Sequence, residues 1–173
     1  RRIFVKLVSV VVPCYNEQEV LPMFYDEITR VTAQMSHDFP ELSFEYLFIN
    51  DGSKDNTLPI LRSLADRDKR VRYISFSRNF GKESGMYAGL KNAKGDYVVV
   101  MDADLQHPPA FLPQMYSYVR TGEYDCATTR RVSRDGESKV RSWFARLFYK
   151  IMNKISQTEI VDGAQDFRFM TRQ

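Results

Sequence analysis

Five short runs rich in β-branched and aromatic residues constrain this chain most: residues 7–13, 44–50, 71–75, 97–101 and 125–129. Several are continuous apolar runs rather than alternating ones, the pattern of strands covered on both faces. Stretches with helical spacing separate them. Val20, Phe24, Ile28 and Val31 recur within residues 17–35, Leu58, Leu61, Leu64 and Ala65 within 56–68, and Met86, Tyr87 and Leu90 within 83–94. A βαβαβα alternation predicts an α/β fold whose mostly parallel central sheet is flanked by helices, with right-handed crossovers. At 173 residues the chain suits one domain with one sizeable core. No repeat, low-complexity tract or linker divides it.

Open sheets of this class bind ligands at the carboxyl ends of their strands. The segments there are residues 13–17, 50–55, 102–107 and the turn after Thr129, all polar and acidic or basic. Asp102-Ala103-Asp104 follows the apolar run Tyr97-Val98-Val99-Val100-Met101. Side chains of extended backbone alternate, so Asp102 and Asp104 share a side and Ala103 points away. Two carboxylates held together repel unless a cation lies between them. Mg²⁺ or Mn²⁺ takes such hard oxygen ligands and keeps other positions for water and substrate phosphate. Gln106 could add an oxygen. The alternative is a solvated acidic turn before Pro108-Pro109; the strand-end position favours the metal.

The other loops read less sharply. Asp51 in Asn50-Asp51-Gly52-Ser53 could accept from a ribose hydroxyl or a base N–H. The same residues are ordinary turn chemistry, with Ser53 or Asp55 capping the next helix. In Pro13-Cys14-Tyr15-Asn16-Glu17, Tyr15 could stack on a base and Glu17 bond a base or sugar edge, or Asn16 could simply cap a helix. Gly81-Lys82 precedes a helix and invites a phosphate, but lacks P-loop spacing; a solvated Lys82 is the default. Asp166 could act as a base or orient an acceptor, or pair with Arg168.

The net charge of +3 is uneven. Residues 130–155 hold eight Lys and Arg against Asp135 and Glu137, a local +6 on an otherwise acidic body. That suggests an anionic partner at one place. Arg131 and Arg134 suit phosphate recognition by their forked donors. Within 139–155, Val140, Trp143, Phe144, Leu147, Phe148, Ile151, Met152 and Ile155 recur at helical spacing, interleaved with Arg146, Lys150 and other bases. Such a helix can lie in a membrane interface, or pack on a sheet with a solvated basic face. No run of about 18 apolar residues forms a spanning helix within this sequence. Cys14 and Cys126 are too few for a disulfide framework or a four-ligand zinc site and fit a reducing compartment. No stretch at the N-terminus has signal-peptide order.

Together the blocks VSVVVPCYNE, FINDGSKDNT, RNFGKESGMYAGL, GDYVVVMDADLQHPP, RRVSRDGES and DGAQDFRFMTRQ resemble the inverting family 2 glycosyltransferases of the GT-A (Rossmann-like) nucleotide-sugar transferase fold. DADLQ, DFR and the basic-aromatic helix are most similar to the polyprenyl-phosphate branch, with its dolichol-phosphate mannose synthases and undecaprenyl-phosphate glucosyltransferases. The resemblance implies a nucleotide site, for uridine, at Pro13, Tyr15, Glu17, Asp51, Ser53, Lys82 and Asp102. It implies metal at Asp102, Asp104 and Gln106, phosphates at Arg131 and Arg134, and Asp166 as the catalytic carboxylate. Trp143, Phe144, Arg146 and Lys150 would face the membrane.

The activity so implied is metal-dependent transfer of glucose or N-acetylglucosamine from a UDP-sugar to a polyprenyl phosphate. It would occur at the cytoplasmic face of the cell membrane, for envelope glycosylation. Relatives continue into an amphipathic helix and two membrane helices, so a catalytic piece ending before them is expected. A homo-oligomer is compatible with helices near the membrane. His107, where the family commonly has Asp, and Phe169, where it often has Leu, are expected to stand clear of the chemistry. Rival readings are a transferase with a polysaccharide or soluble acceptor and an inactive nucleotide-sugar binding module. Nucleic acid is not an expected partner: no binding motif is present, and the acidic loops would go unexplained.

Overall fold

The computed structural model describes residues 4–130 and 164–172. It divides into two compact units, Arg1–Ala127 with Asp166–Gln173, and Thr128–Gln165. Nearly all described residues belong to the first. The expected interfacial helix at 139–155, Arg131, Arg134 and the four membrane-facing residues lie outside the described residues.

Six strands, β1 (Lys6–Cys14), β2 (Leu42–Asn50), β3 (Val71–Ser75), β4 (Tyr97–Val100), β5 (Cys126–Arg130) and β6 (Ala164–Thr171), form one sheet in the order β3-β2-β1-β4-β6-β5. The pairs β1–β2, β1–β4 and β2–β3 are parallel, and β4–β6 is antiparallel. The helices are α1 (Leu21–Asp38), α2 (Thr57–Arg67), α3 (Lys82–Asn92) and α4 (Leu112–Val119). The expected strands and the first three helices form within a few residues of their predicted bounds. α4 and β6 were not anticipated. Residues 17–20 turn before α1 rather than beginning it, and no side chain caps that helix.

Strand alternation sorts β1 between two layers. Val8, Val10 and Val12 pack with Phe24 and Ile28 of α1, Leu61 of α2, Tyr116 of α4, and Phe167 and Phe169 of β6. Val11 faces the opposite layer with Leu47, Ile49, Val98 and Val100, against which Met86 and Ala88 of α3 pack. Gly89 is what lets α3 approach: a Cβ there would collide with the Val11 side chain. Because β1, β2 and β4 run parallel, their carboxyl ends share one edge. The loops at 13–17, 50–55 and 102–107 therefore start from a common rim; the turn expected after Thr129 runs into residues outside the described ones.

Candidate active site

Two loops on this rim are tied together by side chain to backbone bonds. The Asn16 N–H donates to Ser53 Oγ (3.0 Å), and the Lys54 N–H donates to Asn16 Oδ1 (2.9 Å). Glu17 N–H donates to Thr57 Oγ1 (2.8 Å) and Gln18 N–H to Asp55 Oδ2 (3.1 Å). Asn16 is left-handed at φ 56°, a conformation Asn tolerates. Asn16 thus joins loops instead of capping α1. Ser53 uses its hydroxyl in the same clasp.

Asp51, almost fully buried, ties in a third loop. Its two carboxylate oxygens accept the Phe80 N–H at 2.7 Å and the Gly81 N–H at 2.9 Å. Gly52 makes this approach possible, since its φ is 64° and the backbone of Arg78 and Asn79 fills the space a Cβ would need. Each Asp51 oxygen keeps a further lone pair for a ligand. The loop so fixed delivers Lys82, the first residue of α3.

Lys82 is where separate parts of the chain meet. Its Nζ donates to Asp102 Oδ2 and to Asp166 Oδ2, both at 2.8 Å. Asp102 follows β4 and Asp166 lies near the start of β6. In the β4–β6 register Val100 stands opposite Arg168, so two further steps bring Asp102 opposite Asp166. The hydrogen bond and charge of Lys82 hold the Asp166 carboxyl below the usual carboxylate range against the opposing effect of its burial; Arg168 and His107 add to the lowering. Partial burial works against the Lys82 ammonium, but its bonds to Asp102 and Asp166 outweigh that and leave its affinity for the proton raised. Lys82 was expected as a solvated or phosphate-facing lysine; the structure joins it to two carboxylates.

Ala103 is buried in the core, Asp102 is half-buried and Asp104 is exposed, on backbone that turns at residues 103–104. Asp104 Oδ1 accepts the Gln106 N–H at 3.0 Å. Leu105 between them has φ 57°, strained for a branched side chain, and turns the chain sharply after the second carboxylate. Glu17, across the rim, binds its proton more tightly than an ordinary glutamate, first because of burial and then because Asp104, Asp102 and Asp55 are close. That accumulation of negative charge fits a divalent cation. Among the described residues no three His, Cys, Asp or Glu side chains form a metal cluster. Asp102 and Asp104 would therefore hold a Mg²⁺ or Mn²⁺ ion together with oxygens from a diphosphate and water, the usual mode for such ions.

A cleft of about 220 Å³ opens between these groups, lined by Pro13, Cys14, Tyr15, Glu17, Asp51, Asn79, Gly81, Lys82 and Asp102. Six of these are residues that the family resemblance implies for the nucleotide; Ser53, the seventh, is in the clasp with Asn16. Asn79, Gly81 and Cys14 were not nominated. Asn79 belongs to the RNFGK block, and its Oδ1 accepts the Gly81 N–H at 3.1 Å, a turn signal legible as Asn-x-Gly. Burial, aided by Glu17, Asp102 and Asp55, raises the Cys14 thiol far out of the reactive range. The ring of His107 lies 6.0 Å from that of Phe167, the neighbour of Asp166 in sequence, tilted at 52° to it.

The match to Glycosyl transferase family 2 covers residues 9–173. The chain is 40% identical over 167 residues to a putative glycosyltransferase CsbB of Bacillus subtilis, covering 96% of this chain and 49% of that protein. It is also 40% identical over 166 residues to a bactoprenol glucosyl transferase of Shigella phage SfV, covering 96% and 52%. The chain thus spans about half the length of the curated relatives it matches. Among solved structures, the mannosyltransferase PcManGT of Pyrobaculum calidifontis, in complex with GDP-Man and Mn²⁺, superposes with a TM-score of 0.63 at 20% identity, covering 97% of this chain and 45% of that one. Glucosyl-3-phosphoglycerate synthase of Mycobacterium tuberculosis, with Mn²⁺, UDP and glucosyl-3-phosphoglycerate, gives 0.61 at 24%, covering 96% and 57%. These likenesses establish the GT-A fold. Sheet, motifs and family match agree, and the chain belongs to glycosyl transferase family 2.

Proposed function

We propose that this chain is the catalytic part of an inverting transferase that moves glucose from UDP-glucose to a polyprenyl phosphate at the cytoplasmic face of the cell membrane. The observation that carries the reading is one cleft that presents Asp102, Asp51, Tyr15, Glu17 and Lys82, with Asp166 joined to its edge through the Lys82 ammonium. The names of relatives 40% identical support glucose and bactoprenol. Among the described residues no helix is long and apolar enough to cross a membrane. The membrane contact in this reading therefore rests on the lipid acceptor and on the basic-aromatic segment 139–155, with Arg131 and Arg134 toward phosphates.

The acceptor's phosphate oxygen attacks C1 of glucose from the face opposite the diphosphate. The new C1–O bond forms as the bond from C1 to the diphosphate breaks, and UDP leaves with the electron pair. A phosphomonoester with a second pKa near about 6 is mostly dianionic at neutral pH, so the attacking oxygen needs no base. Charge balances: the phosphate dianion becomes a diester monoanion, and UDP carries away the difference. A divalent ion on Asp102 and Asp104 would neutralise charge growing on the departing diphosphate. Tyr15 and Glu17 would hold the base, Asp51 the loop beneath it, and Asp166 would face the positive charge that develops at C1.

The test is transfer of radiolabelled glucose from UDP-glucose to undecaprenyl phosphate in detergent micelles with Mn²⁺ or Mg²⁺. A lipid-linked product of inverted anomeric configuration is expected. Label in a water-soluble acceptor alone, or lipid labelling from UDP-N-acetylglucosamine or GDP-mannose but not UDP-glucose, would overturn the reading.

A further inference from the structure

We propose that Lys82 is a positioning residue for sugar transfer, its ammonium fixing the Asp166 carboxylate to the donor-side carboxylate Asp102, and is not primarily a diphosphate ligand. The inference rests on the transferase reading above.

Three observations carry it. Lys82 Nζ reaches Asp102 and Asp166 at the same 2.8 Å, so it bridges the end of β4 and the start of β6, strands that pair antiparallel. Lys82 itself is not free to wander. It follows Gly81 directly, and the Phe80 and Gly81 amides are bonded to buried Asp51 at the end of β2. A lysine anchored at its backbone and bonded at its tip is a strut between three loops. Finally, no other described cation is placed as closely: Arg168 Nη2 is 4.0 Å from Asp166 Oδ1, at the limit of an ion pair.

The consequence for chemistry follows from charge. Asp102 and Asp166 face each other, and without an ammonium between them their carboxylates repel. Asp166 would then swing toward solvent or toward Arg168. Correct placement of a carboxylate at a reacting carbon is worth far more than its mere presence, since a misplacement of about 1 Å can cost about 100-fold in rate. An ammonium that bonds two carboxylates retains one N–H, so a contact with the diphosphate can accompany the strut without replacing it.

The experiment compares Lys82→Met, which keeps the stem and removes the charge, with Lys82→Arg, Asp166→Asn and the double variant Lys82→Met/Asp166→Asn. UDP affinity with Mn²⁺ is measured by calorimetry, kcat by glucosyl transfer, and folding by thermal melts. For Lys82→Met the proposal expects kcat to fall about 100-fold while the UDP Kd changes by less than about threefold. Lys82→Arg should recover part of the loss. The double variant should be no slower than Asp166→Asn, because Lys82 acts through Asp166. A UDP Kd raised in proportion to the lost rate, or fully multiplicative losses in the double variant, would overturn the proposal in favour of a phosphate ligand. A crystal structure of Lys82→Met supplies a readout independent of turnover: Asp166 displaced from Asp102 is expected, and Asp166 unmoved would overturn it. Wild-type protein that transfers no glucose counts against the function, and the crystal structure still decides the strut.

Discussion

Asp166 stands opposite Asp102 across the β4–β6 seam, and each carboxylate is 2.8 Å from the same lysine nitrogen. Asp166 therefore faces the site as an ion, held below the ordinary carboxylate range by Lys82 in spite of partial burial. A carboxylate so acidified is ionised at both pH 6 and pH 8 and is a weak base at either. Asp166→Asn is expected to lower kcat by about 100-fold or more with UDP affinity retained, and by the same factor at pH 6 and pH 8. Rate profiles of both proteins across that range check this. A loss confined to pH 6, where the acceptor phosphate still carries a proton, would make Asp166 a base after all.

Asp104 is the more exposed of the paired carboxylates, and its one described bond is to the Gln106 N–H. With its free oxygen it can take a cation without breaking the loop. Asp104→Ala should leave thermal stability nearly unchanged, a surface substitution costing within about 0.5 kcal/mol. It should abolish the Mn²⁺-dependent part of UDP binding. Titration calorimetry of UDP with and without Mn²⁺ reads both components. Equal UDP affinity in the variant and wild type with Mn²⁺ present would remove Asp104 from the metal site.

The sheet was legible because strands covered on both faces leave apolar runs such as Tyr97 to Met101, and the acidic residues that end them stand out. β6 was not legible. Ala164–Thr171 interleaves Gln165, Asp166 and Arg168 with Phe167, Phe169 and Met170, an alternation over only a few residues beside Asp162-Gly163. Its polar half reads as a loop until pairing with β4 supplies the reason. The same pairing gives Asp166 a partner, so its role could come from resemblance but its link to Lys82 could not. Clasp residues such as Asn16 and Ser53 were ambiguous for a related reason. Their side chains bond backbone far away in sequence, and local spacing suggests only caps and turns.

Gly52 sits where the Asp51 loop passes the chain at Arg78 and Asn79. Its φ of 64° is left-handed, and an added Cβ would lie 2.6 Å from Asn79 N. Backbone on both sides leaves no flexible group to move. Gly52→Ala should cost about 2–4 kcal/mol, which for a chain of this size lowers Tm by about 5–15 °C. UDP binding should weaken with it, since the loop carrying Lys82 hangs on Asp51. A melt within about 2 °C of wild type, on the same scale, would show that the loop adjusts.

Asp68, far from the cleft, offers a test of stability against pH. It closes α2, accepting from Arg70 Nη2 at 2.8 Å, from the Arg70 N–H at 2.9 Å and from the Tyr25 hydroxyl at 2.7 Å. The bonds from Arg70 outweigh partial burial and, with Tyr25, hold its pKa down at about 2. The unfolded chain titrates Asp near about 3.9. The folded value lies lower, so the stabilisation is complete above about pH 4 and is lost as pH falls toward about 2. Asp68→Asn removes it. Because the Arg70 side chain is half exposed, about 1–2 kcal/mol is expected at pH 7 after solvent screening. Urea unfolding of wild type and variant at pH 7, 5, 4 and 3 should give a constant gap between pH 7 and 5 and a narrowing one below 4. A gap that persists undiminished at pH 3 would mean that packing of the Asp68 side chain, rather than its charge, stabilises this corner.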